Sequence, residues 1–88
     1  MMAKYNGHKN WAHWNVSLWI NNDEGLYRMA QDYIRRNKHY HSFSIGGYKP
    51  RDVAAQRMQE ALEMEGITHT PDGAKYSVTA IRAAMVGM

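Results

Sequence analysis

NWAHWNVSLWINNDEGLY, residues 10–27, holds all three tryptophans of the chain and the first clear break in its hydrophobic pattern. Asn10 is a residue type whose side-chain oxygen accepts an orphan backbone N–H at a helix start. From there Trp11, Trp14 and Leu18 form one series at helical spacing, and Ala12, Val16, Trp19 and Ile20 a second. Together they cover most of a helical circumference, the pattern of a helix buried on several sides. Trp, Val and Ile also suit strands, but strict alternation fails between Trp14 and Ile20, so the spacing predicts a helix from Trp11. Asn21, Asn22 and Asp23 then interrupt it. Asn tolerates a left-handed helix end, and Asp23 can cap a following helix.

Outward from this stretch, Leu26, Met29, Ala30, Tyr33 and Ile34 fall at i, i+3, i+4, i+7 and i+8. This is an amphipathic helix over about 23–37. Residues 38–50, KHYHSFSIGGYKP, read as the longest irregular segment; an extended piece at 40–45 is compatible with its aromatic content. Val53, Ala54, Met58, Ala61 and Leu62 predict a helix over about 50–65. Gly66 then suits a left-handed stop, and Ile67 stands where a Schellman cap takes an apolar contact. THTPDG, 68–73, is a turn. A last short helix over about 76–87 follows from Val78, Ile81, Ala84 and Met85, capped by Ser77 or entered earlier from Thr70 and Pro71. The expected fold is mainly α: a compact bundle of three to four short helices with one longer loop at about 38–50. It forms a single domain, 1–88, with residues 1–9 as an N-terminal arm.

Composition sets the limits. A chain of 88 residues buries only a small core. With no cysteine it has neither disulfides nor a cysteine-based zinc site. Three Trp, six Tyr, one Phe and seven Met supply large side chains instead. Trp14 and Trp19, with Leu18, are expected to pack as core against the helices at 23–37 and 50–65. No apolar run approaches the length of a membrane span. MMAKYNGHKN lacks an apolar signal core. A cytoplasmic protein with no membrane partner is expected. Net charge is +3, which permits an acidic partner without requiring one.

Few residues suggest chemistry. RRNKHYHSF, 35–43, interleaves basic and aromatic residues, as a single-stranded nucleic-acid binder does; a solvated helix end reads the same way. His39 and His41 would share a side of an extended segment, but no Asp, Glu or Cys at ligand spacing joins them, so no metal and no cofactor is expected. Glu60, Glu63 and Glu65 read as a solvated acidic face. Nothing resembles a phosphate loop or a nucleophile elbow, and an enzyme is not expected.

Tyr5 to Tyr27 resembles a family of small uncharacterised proteins carried by bacteriophages and bacterial mobile elements. Their N-terminal pattern runs Asn-Gly, a short gap, then Asn-aromatic-x-x-Trp-x-Val-x-Leu-Trp-Ile/Leu-x-Asn. The matching positions are Asn6, Gly7, Asn10, Trp11, Trp14, Val16, Leu18, Trp19, Ile20 and Asn22. This chain departs from the pattern at His8, Lys9, Ala12 and His13, where the family's acidic first turn is lost. The resemblance implies a phage accessory role toward the host and carries over no catalytic residue. Residues and resemblance together lead to the expectation of a protein that modulates or inhibits a host protein complex by occlusion, anti-defence or anti-CRISPR action being one form. The protein-binding candidates are Trp11, His13, Arg35, Arg36, Lys38, Tyr40, Lys49 and Arg51. A nucleic-acid-binding module using the basic 35–51 segment is the alternative, and a homodimer fits either.

Overall fold

The computed structural model describes residues 10–37 and 50–88. Four helices run in order: α1 (Trp11–Asn22), α2 (Glu24–Arg36), α3 (Pro50–Met64) and α4 (Val78–Ala84). The mainly α expectation holds. The described residues contain no strand; one isolated antiparallel bridge joins His69 and Lys75.

The helix ends follow local chemistry. Asn10 Oδ1 accepts the His13 amide at 2.9 Å, which starts α1. Asp23 serves two helices at once. Its amide donates to the Trp19 carbonyl at 2.9 Å, closing α1, and its Oδ1 accepts the Leu26 amide at 3.0 Å, opening α2. A one-residue elbow results. Gly66, at φ +78°, ends α3. Its amide donates to Glu63 O and that of Ile67 to Leu62 O, both at 2.9 Å, which is the Schellman pattern. Of the two starts open for the last helix, Ser77 is the one used: its hydroxyl caps Ala80 N.

The helices close into a ring. α1 packs on α2 and α4, and α3 packs on the same two, while the diagonal pairs make no close backbone contact. Val16 and Ile20 of α1, Ala30 of α2, Ala55, Met58 and Leu62 of α3, and Ile81 and Met85 at α4 meet in one core. Alanines 30, 54, 55, 80 and 84 stand among them, all buried; small residues at the contacts let the helix axes approach closely.

Three packing expectations are corrected. α1 lies against α4 rather than against α3. Leu18, expected in the core with Trp14 and Trp19, is 38% exposed, and the two tryptophans are only half-buried. Leu18 lies seven residues after Trp11, on the same helical face, and both face outward. Val78, expected on the inner face of α4, is also outward, because Ala80, Ile81 and Ala84 take that face. With apolar residues around most of α1, spacing alone does not mark the inner side; the ring does.

Candidate protein-docking groove

One polar residue interrupts the buried face of α1. Asn15, 1% exposed, sits between Ala12, Val16, Trp19 and Ile20. Its partners come from the turn between α3 and α4. Thr70 Oγ1 donates to Asn15 Oδ1 at 2.5 Å. Asn15 Nδ2 donates to Asp72 Oδ2 at 2.9 Å, and the Trp19 indole N–H reaches the same oxygen at 2.9 Å. The Thr70 hydroxyl also accepts the Ala74 amide at 3.0 Å.

The turn is shaped for this. Gly73 N bonds to Thr70 O at 2.9 Å, with Pro71 first among the central residues and Gly73 at φ +98°. Backbone bonds from Thr70 N to Ala74 O and from Tyr76 N to Thr68 O brace its stem. Donation by Asn15 first, then by Trp19, holds the Asp72 carboxyl below its ordinary value, against a smaller opposing effect of desolvation.

The pinned turn and the elbow enclose a groove of about 530 Å³. Its apolar walls are Trp19, Leu26, Met29, Ile67 and Pro71, and its polar groups are Asp23, His69 and Tyr76, with Gly25 at the elbow. Gly25 matters sterically: a Cβ there would stand 3.3 Å from the Asp23 cap oxygen. Tyr76 is 3% exposed. Burial pushes its phenol above the ordinary value, and the negative charge of Asp23 adds to that. A partly open apolar cleft with a few placed polar groups is the usual form of a binding site.

The residues singled out from the sequence lie elsewhere or apart. Trp11 is 40% exposed at the start of α1, and His13, two residues on, is half-buried. Arg35 and Arg36 end α2, both exposed, and both pair with Asp32, at 3.1 and 2.6 Å. The Arg36 guanidinium also lies 5.5 Å from the Tyr33 ring centre. With Arg28, which pairs with Glu24, they line a second cleft of about 510 Å³ along α2.

Arg51, expected on the same basic rim, instead turns inward. Its Nε donates to the Met85 carbonyl at 3.0 Å and its terminal nitrogen to that of Met88. The Met85 carbonyl, at the C-cap of α4, also accepts the Met88 amide at 3.1 Å, and the guanidinium gives it a second donor. Lys38, Tyr40, Lys49 and the His39–His41 pair lie outside the described residues. Among the described residues, no three His, Asp or Glu side chains converge as metal ligands, and no helix is long and apolar enough to cross a membrane.

The groove itself was missed from sequence. Its one local signal is Asn15, a polar residue in the middle of an apolar helix face. The partners are 55 and 57 residues away, beyond any local pattern.

A match spanning residues 1–88 with the model of a family of unknown function now places the whole chain. The chain belongs to DUF7249. The DUF7249 match covers the groove, the elbow and all four helices together. No curated protein and no solved structure matches the chain.

Proposed function

We propose that this DUF7249 protein is a phage-borne accessory factor that docks on a host protein complex and modulates or inhibits it by occlusion, anti-defence action being one form. The groove beside Trp19 carries this reading. Its indole is held by Asp72 and is flanked by Leu26, Met29, Ile67 and Pro71. Aromatic and aliphatic side chains already fixed in place lose little freedom on binding and make good interface anchors. Trp11 and Leu18 add exposed apolar surface on the neighbouring side of α1. The expected action is stoichiometric, without turnover of a substrate.

The basic stretch supports a phosphate-tracking module less well. Arg35 and Arg36 share Asp32, and Arg51 faces carbonyls.

Affinity capture tests the proposal. Tagged full-length chain, incubated in lysate of a phage-host bacterium at moderate salt, retains a protein at near one-to-one yield. Ile67→Glu, which places a charge on the groove wall while leaving helical circular dichroism unchanged, lowers that affinity roughly tenfold or more. Absence of any near-stoichiometric partner removes the proposal.

A further inference from the structure

The groove has an electrical sign, and the sign narrows what fits it. Among the described residues, Asp23 is the one carboxylate that lines the groove, and no Lys or Arg does. Asp72 stands at its edge, bonded to Trp19, and remains ionised at neutral pH. The chain as a whole carries +3, so the negative sign is local to this site. The field of Asp23 reaches the groove wall, since it acts on the Tyr76 phenol. Glu24, next to Asp23 in the chain, is paired with Arg28 at 2.5 Å.

The walls add a second preference. The Trp19 N–H is already bonded to Asp72, so what the indole offers a guest is its π surface. Indole faces attract cations, more strongly as water is displaced. Nucleic-acid phosphates and anionic lipid headgroups carry the wrong sign for such a site.

We infer that the groove receives a partner-protein segment in which an arginine or lysine stands between apolar residues. The cation meets Asp23 and the Trp19 ring; the flanking side chains fill the walls made by Leu26, Met29, Ile67 and Pro71. This rests on the docking function proposed above and names the chemistry of the partner.

The test is a nuclear magnetic resonance titration of the ¹⁵N-labelled full chain with two blocked peptides at millimolar concentration, acetyl-Leu-Arg-Leu-amide and acetyl-Leu-Glu-Leu-amide. The arginine peptide shifts the Trp19 indole N–H and the Gly25, Leu26 and Ile67 amides; the glutamate peptide leaves them in place. Asp23→Asn keeps a capping oxygen and weakens the arginine peptide by about two- to fivefold. Equal shifts from both peptides, shifts from neither, or unchanged affinity in Asp23→Asn overturns the inference. Concentration-dependent dimerisation abolished by Ile67→Glu also overturns it, by giving the groove to a second copy. The two proposals fail separately. A stoichiometric partner held equally by wild type and Ile67→Glu leaves docking intact and removes the groove. Charge-selective peptide shifts without any captured partner keep the groove's preference and remove the docking function.

Discussion

Asn15 is buried, and its bond to Thr70 lies where water does not reach, so that bond is expensive to leave unmade. Asn15→Ala removes the acceptor of the Thr70 hydroxyl and one donor to Asp72. It is expected to lower stability by about 1–3 kcal/mol, measured as a lower urea midpoint at unchanged slope. Asp72 sets a pH dependence. Its folded-state value lies below the ordinary carboxylate value, so the unfolded chain binds the proton more readily. The stabilisation is complete above the unfolded-state value, about pH 4, and is lost as pH falls through the lower folded-state value. Asp72→Asn flattens this acid limb of the stability curve. Tyr76 acts at the other end: its raised value means stability is complete below about pH 10 and declines as pH rises through the folded-state value.

At the scale of the element, termini were easier to read than faces. Asn10, Asp23 and Gly66 act through backbone groups within a few residues, so each is visible in a short window of sequence. The stripe of α2 was equally legible, since Leu26, Met29, Ala30, Tyr33 and Ile34 all pack on the core or within it. α1 was not, because its apolar residues surround it and only its neighbours select Val16 and Ile20 over Leu18. Three substitutions separate the end effects. Asp23→Ala is expected to lower stability by about 1 kcal/mol, and Asp23→Asn by much less. Gly66→Ala meets open space but must adopt φ +78°, which costs about 1–2 kcal/mol. Thermal unfolding of the three variants side by side checks the order.

For the whole molecule, the ring makes every helix depend on two others. No close backbone contact joins α1 to α3 or α2 to α4, so the diagonal helices are coupled through the side chains of the one shared core. Ile81 of α4, fully buried, is a sensitive point. Ile81→Ala is expected to cost about 2–5 kcal/mol, against a total of about 4–13 kcal/mol for a chain of this length. Helical circular dichroism and tryptophan fluorescence should still lose signal together, because all three tryptophans lie on α1 and report its release. This ring, like the groove it shapes, depends on the turn of residues 68–76 returning to α1. Nothing near Trp19 in the sequence announces Asp72.

Asp23 joins the two ends of this picture, since one side chain both fastens the elbow and borders the groove. A guest that gripped it would brace the joint, and occupancy would spread into the backbone. The amides of Leu26 and Tyr27, bonded to the Asp23 side chain and carbonyl, would then exchange with solvent deuterium more slowly in the complex. The hinge would thus double as a gauge of whether the cleft is filled.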